Sequence, residues 1–546
     1  MAPAAKIIFE DIGGFRDGLC TTSIWVDSVM DVLEQEYNAG ARISTNSWGT
    51  GDDRPDEVDA AVWNREDLLV LFSAGNYGAS GINEIATNKN AIAVGATENY
   101  DADFQDAFGI LDPENMTAFS SRGPAADGRV KPDLVSPGYY VYSNRFSTLY
   151  ISDELDPQCS PGDPEIDVCF PDFGGCYLAF TDEVCAVNAL LGTSMASPTA
   201  AGLAALARQY FTDGFHPGGQ AEPADSLNPS AALLKAVLLN GARNMTGHLY
   251  ERRGANPQDY GPLSDAPSDV QGWGRVHLDD ALYFTGDARR LEMVDVANAD
   301  GLATGETATL RFAVISLDEP LKVTLVWTDP PAQSYALPAL VNDLDLDLEA
   351  PDGTSFRGNQ WTGDDVNVVG DKVSLSNPPG RDALNNVEGI LVASPDVGLY
   401  TLSVHARDVP GYQGVFTQGY ALVITGAVSA SPGEVPVGAG VPGTPLTLAK
   451  GAGSNIMLTW GESCLPVADD YEVYEGTLGD FLSHAPRFCD TGGETSMTFA
   501  PAAESSYYLV VPRNADREGS YGTDSSGITR PQSELPCLDQ KLGPCP

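Results

Sequence analysis

Apolar positions in the first half of the chain fall into two alternating rhythms. Residues 5–10 and 42–47 read as strands, and between them residues 27–40 place Val29, Val32, Leu33 and Tyr37 at helical spacing. Residues 55–66 read as a second helix. Leu68 to Phe72 is an unbroken apolar run, and 91–96 is another, as suits strands buried on both faces of a parallel sheet. Strand and helix alternating over residues 1–287 predict an α/β doubly wound parallel sheet. In such sheets, sites form at the C-terminal ends of the strands.

From residue 288 the rhythm changes. Short β-rich runs at 308–316, 322–328, 343–349, 398–406 and 419–425, with turn signals between them, predict an all-β sandwich over 288–428. A Pro/Gly/Val-rich stretch at 429–444 reads as an extended linker. Further strand patterns at 445–450, 455–460, 471–477, 496–500 and 506–511 have the spacing of a seven-stranded sandwich. With Trp460 and the Tyr507-Tyr508 pair suited to its core, 445–546 is similar to a fibronectin type III module.

Composition narrows the partners. Thirty basic against 76 acidic residues give a net charge of −46, which argues against nucleic acid and acidic membrane surfaces. No apolar run is long enough to span a bilayer. Nine cysteines, several in Gly/Pro/Asp-rich loops, point to disulfides and an oxidising, extracellular compartment, with Cys20 expected to stay unpaired. Cys464 with Cys489 is expected to staple the last sandwich, and Cys537 with Cys545 to close the tail. Cys159, Cys169, Cys176 and Cys185 occupy a long acidic loop between Gly138 and Gly192 and allow three pairings. Their spacings lack the Cys-x-x-Cys pair usual for zinc.

The most informative run is Gly192-Thr193-Ser194-Met195-Ala196-Ser197-Pro198, continuing into Thr199-Ala200-Ala201-Gly202. A Gly-Thr turn there opens a helix, whose N-terminus offers free N–H groups and a positive dipole end to a developing oxyanion. Phe72-Ser73-Ala74-Gly75-Asn76 ends a buried strand on an asparagine, and Thr45-Asn46-Ser47-Trp48-Gly49 ends its neighbour. Together with Phe119–Pro124, Lys131–Gly138 and Gly272–Leu278, these runs resemble, in order, the motifs of the subtilisin-like serine proteases, the subtilases (peptidase S8).

The resemblance implies that Ser194 is the nucleophile and that the Asn76 amide donates to the oxyanion. It implies that Ser47, Trp48 and Gly49 pair with an extended peptide substrate, faced by Ser73, Ala74 and Gly75 across the primary pocket. With small residues on that wall and no acidic group nearby, large apolar substrate side chains are expected. It also implies that a jelly-roll-like sandwich follows the catalytic domain.

One departure from the family stands out. All five histidines follow Ser194, whereas subtilases order their triad Asp, His, Ser, and the opening run Met1 to Ile7 resembles the strand that follows the family's histidine helix. The sequence is therefore expected to begin downstream of the triad aspartate and histidine and, as it stands, to be nearly inert. The function implied is a secreted, monomeric serine endopeptidase that cleaves proteins through an acyl-enzyme on Ser194 and needs no cofactor for its chemistry. The alternatives are a pseudoprotease that only binds peptides and a secreted adhesion protein. Calcium is expected as a structural ion on Asp343, Asp345 and Asp347, which share one face of a strand, with Asp382, Asn385, Asn386 and Glu388 as further oxygen donors.

Overall fold

A computed structural model describes the chain apart from residues 1, 10–12, 17–18, 25, 27, 50–53, 107–108, 145–186, 253–256, 335, 363–371, 437–442, 516, 525–527, 544 and 546. The four acidic-loop cysteines lie outside the described residues, as does the side chain of Cys20.

The first unit is built on a seven-stranded sheet. Strands Ile43–Asn46, Leu69–Ser73, Ile92–Glu98 and Leu134–Tyr139 run parallel and in register, and the short strand Met116–Thr117 joins Thr97 antiparallel. All five residues of Leu69–Ser73 and all seven of Ile92–Glu98 are buried, so continuous apolar runs replace alternation. Helix α1 (Val29–Asn38) starts where the Ser28 hydroxyl accepts from the Asp31 N–H, and α2 (Pro55–Asn64) places proline at its first turn, where no N–H is needed. Residues 5–9 of the strand expected at 5–10 form no ladder among the described residues, and Ile7 and Phe9 are exposed.

Helix α3 (Thr193–Thr212) packs across the four parallel strands, and α4 (Ala231–Asn240) packs beside it. All ten residues of α4 are buried, because a second sheet covers its other side. That sheet has the order Arg290–Val296, Tyr420–Gly426, Leu321–Val326, Val387–Val392, all antiparallel. It faces a five-stranded antiparallel sheet centred on Asp343–Glu349, Gly398–Asp408 and Thr307–Val314. Val326, Val387, Ala421 and Val423 belong to the same apolar cluster as the α/β core. The sandwich is therefore continuous with the first unit.

Buried polar contacts fix this junction. Lys89 and Asp329 are fully buried and meet at 2.5 Å, and the ammonium also donates to the carbonyls of Pro330 and Ala339. Asn90, Asn240 and Asn386 bridge the same seam, with Asn90 donating to Asp329 O and Asn240 to Thr324. On the other side of the strand, Asp133 accepts from Lys131 at 2.6 Å and from Lys235 of α4 at 3.0 Å.

The last region contains two three-stranded sheets, with orders Thr447–Lys450, Ile456–Thr459, Ser496–Phe499 and Ala485–Phe488, Asp470–Thr477, Ser506–Arg513. The segment expected as a solvated linker is buried along its described start: Ser431 is fully buried and Val435 joins the core with Trp460. The tail explains this, since Ser431 donates to Lys541 O and the Ser520 N–H to Gly433 O. The disulfides differ from expectation for the same reason. They join Cys464 to Cys545 and Cys489 to Cys537, because the tail runs back over the sandwich rather than closing on itself.

Beneath the tail, Glu472 and Glu518 are both fully buried and share the Tyr474 hydroxyl, at 3.0 and 2.6 Å. One hydroxyl hydrogen cannot serve two carboxylates, so Glu472 holds a proton. Burial, then the neighbouring Glu518, pushes its pKa up to about 9.

Two outcomes follow. Lys89→Ala leaves Asp329 buried without its cation and is expected to cost about 3–5 kcal/mol in urea unfolding; Lys89→Met/Asp329→Leu is expected to recover only part, because the Val341 and Asn342 N–H groups lose their acceptor. Because the folded-state pKa of Glu472 lies above its unfolded value, the stability it contributes is complete below about pH 4.5 and is lost as pH rises toward 9. Melting curves of Glu472→Gln are expected to lack that decline.

Candidate active site

Three loops converge at the N-terminus of α3. The helix is entered through Gly192, whose φ of +146° favours glycine and whose N–H donates to Gly138 O at 2.8 Å. A Cβ at Gly138 would lie 2.8 Å from Gly192 O, so glycine at 138 lets the strand Leu134–Tyr139 lie this close. Ser136 of the same strand donates to Ala196 O at 2.6 Å, pinning the first turn. Ser194 is the second residue of the helix and half-exposed; at that position its backbone N–H has no acceptor within the helix.

Asn76 reaches this turn from the end of Leu69–Ser73. Its carboxamide oxygen accepts from the Thr193 N–H at 2.9 Å and from the Thr193 hydroxyl at 3.0 Å. The Thr193 oxygen in turn accepts from Gly75 N–H at 3.2 Å, so every hydrogen has one destination. With the Asn76 oxygen committed, its NH₂ is the end left to donate. A Cβ at Gly192 would sit 3.5 Å from that nitrogen. The geometry thus brings Asn76 to the residue adjoining Ser194.

The other expected residues divide by exposure. Ser47 and Gly49 are exposed and Trp48 half-buried, and the Ser47 hydroxyl donates to Ser194 O at 2.9 Å. Trp48 stands edge-on to Phe72, with ring centroids 5.5 Å apart, and donates from its indole nitrogen to Asn46. It therefore bridges core and groove. Ser73, Ala74 and Gly75 are buried, so that wall is formed largely by backbone. Thr193 and Thr45 were not singled out from the sequence. Thr45 meets Ser197 of α3 at 3.1 Å, and the signal for both was their place inside the motifs already quoted.

None of the five histidines serves Ser194. His248 pairs with Asp259 at 2.9 Å, His405 with Asp347 at 3.1 Å, and His277 with Asp280 at 3.6 Å. His484 contacts Tyr507 and Pro531 O. Burial holds His216 down at about 4, neutral at ordinary pH.

The description that matches residues 1–274, half of the chain, is that of the subtilase family, Peptidase_S8. The chain belongs to the subtilase family. It is 27% identical over 511 residues to the serine protease/ABC transporter B family protein tagB of Dictyostelium discoideum, covering 75% of this chain and 25% of that protein. To serine protease AprX of Bacillus subtilis it is 30% identical over 148 residues, 27% of either chain. The subtilase thus spans about a quarter of the length of the curated relatives it matches. Among solved structures it is similar to the psychrophilic subtilisin-like protease Apa1 of Pseudoalteromonas sp. AS-11, at 13% identity, TM-score 0.27, 47% of this chain and 73% of that one. It is likewise similar to the prenylagaramide maturation protease PagA, at 20% identity, TM-score 0.27, 46% and 64%.

The expected calcium ligands meet a different counter-charge. Asp345 is ion-paired with Arg407 and, at 3.1 Å, with Arg381; Asp347 is paired with Arg381 at 2.8 Å and Arg357 at 3.4 Å. Burial and then Asp345 push Asp343 up to about 6. Among the described residues no group of three His, Cys, Asp or Glu is arranged to hold a metal. Guanidinium groups thus pair with Asp345 and Asp347, counter-charges the sequence pattern did not suggest.

Proposed function

We propose that this subtilase is a serine endopeptidase whose nucleophile is Ser194 and whose oxyanion is held by the Asn76 NH₂ and the Ser194 backbone N–H. The observation that carries this reading is the pair of hydrogen bonds from Thr193 to the Asn76 oxygen, which aims a donor at the start of α3. Ser194 attacks the peptide carbonyl, the tetrahedral oxygen falls between the two donors, and collapse expels the amine and leaves an acyl-enzyme that water hydrolyses. The substrate is an extended protein segment paired with Ser47, Trp48 and Gly49 and faced by Ser73, Ala74 and Gly75.

Proton transfer from Ser194 needs a general base, and these 546 residues place no histidine there. Loss of the base alone can lower turnover about 10⁶-fold, so the reaction is assigned to the protein when it carries the family's aspartate and histidine. The disulfide-laced tail suits work outside the cell, and we read the protein as a monomer. We read the four- and five-stranded sheets as a jelly-roll-like sandwich and the last two sheets as fibronectin type III-like.

A fluorophosphonate probe is expected to label Ser194 once the family's aspartate and histidine are supplied with this chain, and not in Ser194→Ala. Asn76→Ala is expected to lower kcat about 10²–10³-fold with little change in KM. An unlabelled Ser194 in a protein that carries the histidine would overturn the proposal in favour of a peptide-binding pseudoprotease.

A further inference from the structure

A cavity of about 370 Å³ lies where the first unit meets the β-sandwich, a volume that suits one ring-sized organic molecule. Arg243 and Trp273 line it from the first unit, and Lys322 and Trp361 from the sandwich. It is separate from the proposed peptidase groove. The Trp273 N–H donates to Asp133 O, just before the strand Leu134–Tyr139, whereas Gly138 near the other end of that strand accepts from Gly192. The cavity and the groove therefore sit at opposite ends of one strand.

The lining runs against the charge of the molecule. The chain carries 30 basic and 76 acidic residues, yet Arg243, Arg289, Lys322 and Lys372 line this cavity, with Asp280 as the carboxylate among the described lining residues. Asp280 is already taken up: it accepts from Nε and Nη2 of Arg243 and from Nη1 of Arg289. Arg289 gives its other donors to Glu319. Arg243 differs, because its Nη1 has no acceptor among the described residues and its side chain is 47% exposed. The outer edge of that guanidinium is a two-pronged donor, the shape that a carboxylate matches.

Two indoles complete the site. Trp273 and Trp361 stand edge to face, with ring centroids 6.0 Å apart. Gly389, in the strand Val387–Val392, makes room for them: a Cβ there would lie 2.3 Å from the Trp273 ring and 3.5 Å from that of Trp361. Neither indole N–H has an acceptor among the described residues. Rings with unpaired N–H donors, set beside cations, suit a ligand that joins a ring to an anionic group.

We infer that this cavity binds a small carboxylate carried on a ring, with the carboxylate on the outer edge of Arg243 and the ring against Trp273 and Trp361. Sugar acids and aromatic acids share this chemistry. Because the lining comes from both units, the ligand ties the sandwich to the first unit and stabilises their junction.

Calorimetry on the purified protein tests this with four probes: glucuronate, indole-3-acetate, glucose and sulfate. Glucuronate or indole-3-acetate is expected to bind and to raise the melting temperature, and the one that binds more tightly identifies the source. Glucose and sulfate, each lacking half of the ligand, are expected to bind at least about 10-fold more weakly. Arg243→Lys keeps a positive charge beside Asp280 but loses the fork, and is expected to weaken binding of the acid about 10-fold. Trp361→Phe keeps a ring but loses the donor, and is expected to weaken it about 5- to 10-fold with the urea midpoint unchanged.

No binding of either acid at about 10 mM would overturn the inference. So would glucose or sulfate binding as tightly as the acids, or an affinity for the acids unchanged in either variant. None of these measurements needs turnover, so their failure leaves the peptidase reading standing.

Discussion

The oxygen of one side-chain amide decides how this site is arranged. Asn76 has two chemically different ends, and only the NH₂ end is useful to a developing oxyanion. Thr193 supplies two donors to the oxygen, one of them a helix N-terminal N–H that would otherwise lack a partner. The same contact satisfies the helix and orients the amide, so no separate device is required. Gly138 enables it by letting the strand Leu134–Tyr139 and the helix start approach within backbone contact, and Gly192 by its positive φ at the turn.

That contact is only as stable as the elements bearing it. Asn76 ends one parallel strand and Thr193 begins a helix lying across the sheet, so their separation depends on how α3 sits on the strands. Small residues on its buried face, Ala196, Ala200, Ala204 and Ala207, bring the helix close. Behind it, α4 is clamped by apolar contacts on both sides and by Lys235 reaching Asp133 and the carbonyls of Lys89 and Ala91. Buried charges such as Lys89 and Asp329 add little net stability, but each is strongly destabilising without the other. The β-sandwich therefore acts as part of the support of the first unit, and the apolar cluster running through both expresses the same continuity.

Much of this was legible in the sequence. Unbroken apolar runs marked the central strands, ordered motifs marked the site, and Ser194 and Asn76 were brought to one turn as their motifs implied. What escaped was set by contacts between segments distant in sequence. Cys537 and Cys545 are close in sequence, yet each bonds a cysteine of the sandwich because the tail doubles back. The Pro/Gly-rich stretch after residue 429 has linker composition, but the tail and Cys464 cover its first residues, 429–436. On the acidic strand 343–349, Asp345 and Asp347 meet Arg381, Arg357 and Arg407, contacts that composition could not assign.

The most direct measurement is a crystal structure of the protein, supplied with the family's aspartate and histidine, soaked with a peptide boronic acid. The boron is expected to be bonded to Ser194 Oγ, with one boronate oxygen within hydrogen-bond reach of both Asn76 Nδ2 and the Ser194 backbone nitrogen. A boronate held elsewhere, or an Asn76 amide turned with its oxygen toward the adduct, would contradict the arrangement from which the chemistry is drawn.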